Sequence, residues 1–315
     1  MTILVLGASG FLGAWTVRSL RANGVPAVAL VRPTSVVSRI EGLIDVVRAD
    51  ESSWPQAIED LRPSVVISLD WSGVGGEARN CASQQGNVAR LQGLAEAAAC
   101  AGASRFVGVG SQAEYGPRSV PIDEDQPPAP VTAYGRAKVA AAEATQAVCA
   151  EHGLDWVWAR IFSTYGPLDH QYWLLPMVAD ALMAGETIDL TAGGQRWSYL
   201  YGPDAGMALA TLATHPGAKD IINVGHPEAP RLRDTIEEFA RYFSSTGALR
   251  FGGIPYAANQ VMRLQPETGK LAALGWRPRV ALEAGLAETA AWLQGKDVVD
   301  RLTGLPLPRR AATRT

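Results

Sequence analysis

The segment Thr2-Ile3-Leu4-Val5-Leu6-Gly7-Ala8-Ser9-Gly10-Phe11-Leu12-Gly13 sets the architecture of the chain that follows it. Its first five residues are mostly β-branched or apolar and too few for a buried helix, which indicates a short strand. Residues 14–20 then have helical spacing. Between them Gly7 can take a positive φ, Gly10 lets the backbone approach a ligand, and Gly13 permits close helix packing. Strand, glycine turn and helix predict a site for the pyrophosphate of a dinucleotide; the alternative is an ordinary glycine-rich turn.

Strands and helices continue to alternate after this segment. We predict strands at 26–31, 45–49, 64–69, 105–110 and 154–159, with helices at 54–61, 77–101 and 132–150 between them. The run at 64–69 shows no polar alternation, which is typical of a parallel strand covered on both faces. The pattern predicts an α/β fold built on a Rossmann doubly wound parallel sheet.

The second half of the chain has shorter elements. We predict strands at 187–191, 197–201 and 220–224 and helices at 172–184, 203–214, 232–242, 268–274 and 282–293. We assign 1–165 plus about 203–227 to the dinucleotide-binding domain, and 166–202 plus 228–297 to a second domain. Residues 298–315 are expected to form a frayed tail, because the end of the chain is basic and short of core residues.

Bulk composition excludes several classes of protein. The net charge of -3 gives no general attraction to polyanions, so no nucleic-acid partner is expected. The three cysteines, Cys81, Cys100 and Cys149, show no Cys-x-x-Cys spacing, so neither a disulfide framework nor a metal site is expected. There is no basic leader and no apolar run of about 18 residues, which predicts a cytoplasmic protein without membrane contact.

A pair of side chains in the helix at 132–150 suggests acid–base chemistry. Tyr134 and Lys138 are four residues apart and therefore share one helix face. A nearby ammonium favours the phenolate, so we expect Lys138 to lower the pKa of Tyr134 from its usual value of about 10. Ser111 follows a strand at the carboxyl edge where such sheets bind ligands, and its hydroxyl can bond a substrate carbonyl or the phenol. The alternative is a surface helix with an unrelated Tyr and Lys.

The end of the second strand bears on the choice of cofactor. A dinucleotide fold that binds NAD(H) has an acid here for the ribose 2′-hydroxyl, whereas this chain has Arg32. A guanidinium suits a 2′-phosphate. NADP(H) is therefore favoured and NAD(H) remains possible; the alternative is a solvated arginine at a strand end.

The chain resembles the extended short-chain dehydrogenase/reductase family, whose members include nucleotide-sugar epimerases, dehydratases and 4-ketoreductases. The resemblance covers residue 3 to about residue 293. It implies that the second domain is a smaller mixed α/β substrate-binding C-terminal domain, which binds a nucleotide sugar. It is carried, in order, by the glycine turn of residues 7–13, Gly110-Ser111-Gln112-Ala113-Glu114-Tyr115-Gly116, Tyr134-x-x-x-Lys138, Arg160-x-Phe162-x-x-Tyr165-Gly166-Pro167 and Leu274-Gly275-Trp276-x-Pro278.

This resemblance implies a role for each matching residue. Ser111, Tyr134 and Lys138 would be catalytic, with Lys138 also bonding the nicotinamide ribose. The cofactor would be bound by Gly7, Ser9, Gly10, Phe11, Leu12, Gly13, Arg32, Asp50, Leu69, Tyr134, Lys138 and Ile161. The substrate, a nucleotide sugar, would be bound by Ser111, Gln112, Glu114, Ser163 and Arg196, with Arg196 on its diphosphate. A homodimer is expected to form through the helices at 77–101 and 132–150.

The sequence departs from the family pattern at three places, none of them in the catalytic triad. Asp70 stands where a small alanine is usual beside the cofactor, and Ser163 replaces an asparagine that often contacts the diphosphate. Gly202-Pro203-Asp204 stands where the family usually has an acidic stretch, after the strand that begins near Arg196. The last two changes leave the identity of the nucleotide sugar open.

The motifs also bear on the reaction. Gln112 and Ala113 stand where 4,6-dehydratases carry an Asp-Glu pair, which disfavours dehydration. Arg32 favours an exchangeable NADPH over the tightly bound NAD of an epimerase. We therefore predict NADPH-dependent reduction of the 4-keto group of a nucleotide-linked 4-keto-6-deoxyhexose in deoxysugar biosynthesis. The alternatives are a nucleotide-sugar epimerase with tightly bound NAD and a catalytically silent NADP-binding regulator.

Overall fold

A computed structural model describes residues 1–310, which form thirteen strands and nine α-helices. The strands are β1 (Ile3–Leu6), β2 (Ala27–Val31), β3 (Asp45–Arg48), β4 (Val65–Ser68), β5 (Arg105–Ser111), β6 (Asp155–Ile161), β7 (Thr164–Tyr165), β8 (Ile188–Leu190), β9 (Arg196–Trp197), β10 (Leu200–Tyr201), β11 (Asp220–Val224), β12 (Leu249–Phe251) and β13 (Arg263–Leu264). The helices are α1 (Phe11–Ala22), α2 (Trp54–Leu61), α3 (Gln84–Cys100), α4 (Ala133–His152), α5 (Leu174–Met183), α6 (Gly202–Thr214), α7 (Leu232–Ala240), α8 (Gly269–Ala273) and α9 (Leu282–Leu293).

Seven strands form one sheet in the order β11, β6, β5, β4, β1, β2, β3, and every pairing in it is parallel. From β1 the chain builds outward to β3 and then returns to β4 on the other side of β1. Such a reversal leaves a crevice at the carboxyl ends of the strands, where ligands bind in doubly wound sheets. The predicted fold class is confirmed.

Alternation along β1 divides the hydrophobic core between the two faces of the sheet. Ile3 and Val5 pack into the cluster that contains α1 and α6, whereas Leu4 and Leu6 pack into the cluster that contains α2, α3 and α4. Successive side chains of a strand point to opposite faces, so a strand covered on both sides is apolar throughout. This burial fixes the carboxyl ends of β1, β4 and β5 along one edge.

The remaining strands form three parallel pairs, β7 with β10, β8 with β12 and β9 with β13. The prediction of one strand at 197–201 is wrong, because the backbone there changes partners. The Ser198 N–H donates to the Leu264 carbonyl at 2.8 Å, whereas the Leu200 N–H donates to the Ser163 carbonyl at 2.9 Å. The division into two domains stays a prediction.

The prediction of a continuous helix at 77–101 is also wrong. A 3₁₀ turn covers Gly76–Asn80, Cys81 is extended, and α3 begins only at Gln84. The Gln84 amide donates to the carbonyls of Gly73 and Ala78 at 2.7 and 2.8 Å. These side-chain bonds hold the segment before α3 in a folded turn, and helical periodicity cannot reveal them.

Residues 298–310, expected to be frayed, pack on the body of the protein. Asp300 pairs with Arg18 of α1 at 3.1 Å, and both side chains are buried. The Trp292 indole donates to the Pro308 carbonyl at 2.8 Å, and Arg310 pairs with Asp180 of α5. The expected tail therefore begins no earlier than residue 311, beyond the described residues. Within residues 1–310, no helix is long and apolar enough to cross a membrane.

Candidate active site

The glycine turn joins β1 to α1 with very little room for side chains. Gly7 has φ +74°, and a Cβ there would lie 2.8 Å from the Leu69 carbonyl carbon. A Cβ on Gly13 would lie 2.1 Å from the Gly7 carbonyl oxygen. Gly10 caps α1 without a side-chain hydrogen bond, so the first N–H groups of the helix stay free for an anion. The turn therefore fits the pyrophosphate of a dinucleotide.

The other predicted cofactor residues lie along the same edge of the sheet. Arg32 directly follows β2, Asp50 precedes a 3₁₀ turn after β3, and Leu69 directly follows β4. Ile161 ends β6 in register with Ser111 of β5. Within the turn, the Ser9 carbonyl accepts from Arg39 at 3.3 Å, Phe11 is buried and Leu12 is half-buried. The structure thus gathers these residues at one edge, and their contacts with a cofactor stay a proposal.

Ser111, Tyr134 and Lys138 meet where β5 ends against the first turns of α4. Thr132 caps α4 by accepting from the Gly135 N–H, which fixes the phenol and the ammonium one turn apart. Tyr134 and Lys138 are buried, and the Lys138 ammonium donates to the Val109 carbonyl at 2.6 Å. The site thus places a phenol, an alcohol and an amine together at the sheet edge.

The pKa of Tyr134 does not follow the sequence-based expectation. Burial raises the pKa of Tyr134, and this outweighs the opposing effects of the Ser111 hydroxyl and the Arg79 guanidinium. Burial also lowers the pKa of Lys138 to about 7, and this effect outweighs the carboxylates of Glu114 and Asp70, which raise it. The expected lowering of the Tyr134 pKa by Lys138 is therefore wrong for this protein: at neutral pH Tyr134 is a protonated phenol, suited to donating a proton.

Two aromatic–cation contacts at the site could not be foreseen from the motifs. The Lys138 ammonium lies 3.6 Å from the centre of the Trp71 ring, and the Arg79 guanidinium carbon lies 4.3 Å from the centre of the Tyr134 ring. Trp71 also meets Tyr134 edge to face, with ring centres 6.0 Å apart. Such contacts stabilise a desolvated cation. The position of Trp71 just after β4 was the one available signal for its role.

Glu114 does not line the substrate site, and its assignment to substrate binding is wrong. Its carboxylate is fully buried and accepts from the Ser111 N–H at 2.7 Å, the Trp158 indole at 3.1 Å and Arg160 at 2.7 Å. The bond from the Ser111 N–H to Glu114 and the bond from the Ala113 N–H to the Ser111 hydroxyl form a capping box on the turn after β5. Glu114 therefore positions Ser111. Gln112, in the same turn, is half-buried.

A cavity of about 440 Å³ lies between β7, β8, β9 and α5. Its walls are mostly apolar. Ser163 lines it and accepts from the Trp197 indole at 2.9 Å. Arg196 is exposed and lies outside the cavity lining, although Gln195 and Trp197 on either side belong to it. The structure therefore brings Ser163 to the cavity and leaves Arg196 beside it. Within residues 1–310, no His, Cys, Asp and Glu side chains are grouped to hold a metal ion.

A seven-stranded parallel sheet, a glycine turn and a Ser–Tyr–Lys site define a nicotinamide-dependent enzyme of the extended short-chain dehydrogenase/reductase type. The chain belongs to the NAD dependent epimerase/dehydratase family, whose model matches residues 3–225. This confirms the family resemblance and the oxidoreductase class.

Three known proteins illustrate the range of chemistry among its relatives. A dTDP-glucose 4,6-dehydratase of Streptomyces niveus is 27% identical, over 93% of this chain and 92% of its own length. A 2′-dehydrokanamycin reductase of Streptomyces kanamyceticus is 27% identical, over 70% of this chain and 60% of its own length. The crystal structure of a Thermus thermophilus UDP-glucose 4-epimerase with NAD has TM-score 0.79 and 23% identity, covering 94% of this chain and 99% of that one. This last likeness shows the fold alone.

Proposed function

We propose that the protein is an NADPH-dependent reductase of a ketone, and that the ketone is the 4-keto group of a nucleotide-linked 4-keto-6-deoxyhexose. The observation that carries this proposal is the buried Tyr134 phenol. Its pKa is raised by burial, so it holds its proton at neutral pH. Reduction of a carbonyl needs a proton donor at the oxygen, whereas oxidation of an alcohol needs a base there.

The positions of the three side chains support a role for each in this reaction. NADPH, when bound, would supply the hydride. The Ser111 hydroxyl holds the carbonyl oxygen, and the Tyr134 phenol donates a proton to the alkoxide that forms. The Lys138 ammonium, held by the Val109 carbonyl, supplies a positive charge beside this reaction while it is protonated. Glu114 keeps the Ser111 backbone in place by accepting its N–H.

The substrate part of the proposal draws on the relatives and on the cavity. One relative acts by its name on dTDP-glucose, and another is by its name a reductase. The cavity beside Ser163 has room for part of such a substrate. Arg196 has no carboxylate within 4.0 Å among residues 1–310, so its exposed guanidinium at the cavity's edge is available to the diphosphate. Gln112 and Ser163 complete the proposed substrate contacts.

The main test compares wild type with Tyr134→Phe. We expect the Phe variant to bind NADPH nearly as well and to turn over at least about 10²-fold more slowly, because only the proton donor is lost. Oxidation of NADPH by a nucleotide-linked 4-keto-6-deoxyhexose is the measurement, and Tyr242→Phe is a control that keeps the site intact. Normal turnover by Tyr134→Phe would remove Tyr134 from the mechanism.

A nucleotide-sugar epimerase with tightly bound NAD is the second candidate. It is supported by the family description and by the fold that the chain shares with an NAD-bound epimerase. Arg32 at the end of β2 opposes it, because an epimerase of this kind usually has an acid there. Absorbance of the purified protein in the nicotinamide band separates the two: retained cofactor supports the epimerase, and exchangeable NADPH supports the reductase.

A catalytically silent NADP-binding regulator is the third candidate, and hydride transfer to any keto sugar would exclude it. The chain keeps Ser111, Tyr134 and Lys138, which supports an active enzyme. A homodimer formed through α3 and α4 and a cytoplasmic site of action complete the proposal.

A further inference from the structure

Four charged side chains form a chain of contacts at the dinucleotide end of the sheet. Measured between guanidinium nitrogens and carboxylate oxygens, Glu51 lies 3.6 Å from both Arg32 and Arg90. Arg90 lies 2.8 Å from Asp70. Arg32, Glu51 and Asp70 follow β2, β3 and β4 respectively, and Arg90 reaches them from α3. The contacts therefore span three neighbouring loops at the carboxyl edge of the sheet, where the glycine turn also lies.

Arg90 is fixed much more firmly than Arg32. Its guanidinium contacts Asp70 at 2.8 Å and donates to the Asn87 side-chain oxygen at 2.7 Å, and its side chain is only 21% exposed. Arg32 is 56% exposed and has Glu51 as its one carboxylate neighbour within 4.0 Å among residues 1–310. One arginine is therefore preorganised and the other is free to close on a ligand.

Glu51 holds both arginines weakly. Each of its contacts measures 3.6 Å, whereas a charge-assisted hydrogen bond between a guanidinium and a carboxylate is about 2.7–2.9 Å long. Its side chain is 34% exposed, so it can turn toward solvent without being buried unpaired. A phosphate monoester carries about -1.5 to -2 charges and three acceptor oxygens, which suits two guanidinium groups better than one carboxylate does.

We propose that Arg90 is a specificity residue of the cofactor site: Arg90 and Arg32 together bind the 2′-phosphate of NADP(H), at the place that Glu51 occupies in the free protein. This rests on the proposed use of NADPH. Asp70 is then a positioning residue, which contacts one guanidinium nitrogen of Arg90 while the other faces Glu51. Its presence where the family usually has a small alanine follows from the need to hold this arginine.

The proposal is tested on the full chain with nucleotide fragments and without a ketone. We expect wild-type protein to bind 2′,5′-ADP at least about tenfold more tightly than 5′-AMP in calorimetry, since the two differ by the 2′-phosphate. Arg90→Met keeps most of the side-chain length and removes the charge. This variant should bind 2′,5′-ADP about tenfold to a hundredfold more weakly, which is the contribution of a charged hydrogen bond. Its affinity for 5′-AMP should be unchanged.

Two further variants sharpen this test. Glu51→Gln should strengthen binding of 2′,5′-ADP, because the competing carboxylate is gone. Arg241→Met, at an exposed arginine directly after α7, should change nothing. Unchanged binding of 5′-AMP by Arg90→Met also shows that the variant is folded. The proposal is overturned if Arg90→Met weakens both fragments equally, as an arginine packed on the adenine would, or if it weakens neither.

Failure of this inference and failure of the proposed function have different signatures. A protein that prefers 2′,5′-ADP through Arg90 but reduces no keto sugar supports the two-arginine phosphate site and removes the reductase. A protein that reduces the keto sugar while Arg90→Met binds both fragments like wild type keeps the reductase and removes the two-arginine phosphate site.

Discussion

Lys138 combines a buried ammonium with an aromatic ring beneath it and a backbone carbonyl at its tip. Burial lowers its pKa to about 7 from the usual 10.5, so in the free protein the charge is present below neutral pH and is lost above it. We expect kcat/KM for NADPH to fall as pH rises through about 7, because this parameter reports ionisations of the free enzyme. A pH profile is the measurement.

Lys138→Arg provides the comparison for that profile. A guanidinium keeps its charge throughout this pH range, so whatever activity the variant retains should show no loss near neutral pH. If wild type and Lys138→Arg had the same profile, another group would be responsible for the pH dependence.

Glu114 joins the turn after β5 to the buried Arg160. Their side chains are 0% and 4% exposed, so Glu114→Gln leaves a buried guanidinium without its carboxylate. We expect a loss of about 3–5 kcal/mol in the free energy of unfolding, measured with urea. Glu143→Gln, at an exposed position of α4, should change it by no more than about 0.5 kcal/mol. Equal effects of the two substitutions would contradict the structural role of Glu114.

At the residue scale, sequence reasoning found three proposed catalytic groups that the structure brings together. Tyr134 and Lys138 are set by helix geometry, and Ser111 by the end of a strand. Glu114 was misassigned because the residues after a strand do not show which one turns inward. The direction of the Tyr134 pKa was also missed, since burial depends on packing by Trp71 and other distant segments.

Among the elements, the junction of β1 with α1 tolerates the least change. A Cβ on Gly13 would meet the Gly7 carbonyl oxygen at 2.1 Å, so Gly13→Ala must move the glycine turn or α1. We expect loss of dinucleotide binding, measured by calorimetry with NADPH, and a destabilisation of about 1–3 kcal/mol. Gly86→Ala in α3 is the control, because a Cβ there meets nothing within 4 Å. It should be neutral or stabilising.

Bounds of elements could be predicted where periodicity ends at a local signal. The predictions at 54–61, 220–224 and 282–293 match α2, β11 and α9. They failed where distant contacts end an element: Gln84 ties down the turn before α3, and β9 and β10 pair with different strands. Local propensity contains no information about those partners.

For the whole molecule, the proposed dimer would use the outer surfaces of α3 and α4. Gly93 lies on α3, and a Cβ there meets nothing within 4 Å, so a longer side chain fits the single chain. We expect Gly93→Arg to convert a dimer to a monomer in light scattering, because the guanidinium would block close approach of a second copy. Arginine is also a better helix former than glycine by roughly 1 kcal/mol, so unfolding is not the cause.

The matched control for the dimer is Glu59→Arg on α2, which should leave the mass unchanged. A dimer that survives Gly93→Arg would exclude this surface as the interface.

The packing of residues 298–310 is the largest feature that the sequence did not reveal. Asp300 and Arg18 are 282 residues apart, and their pairing leaves both buried. A basic segment with prolines is typical of a loose terminus, and only its partners, Arg18 on α1 and Asp180 on α5, show where its side chains go.

The indole of Trp71 has an optical consequence. It lies against the Tyr134 ring and beneath the Lys138 ammonium, beside the place proposed for the nicotinamide. Reduced nicotinamide absorbs light at the wavelengths that indole emits, so a bound reduced cofactor should quench Trp71 fluorescence by energy transfer and emit in turn. Occupancy of the site could then be followed by fluorescence in real time, with no label attached to the protein.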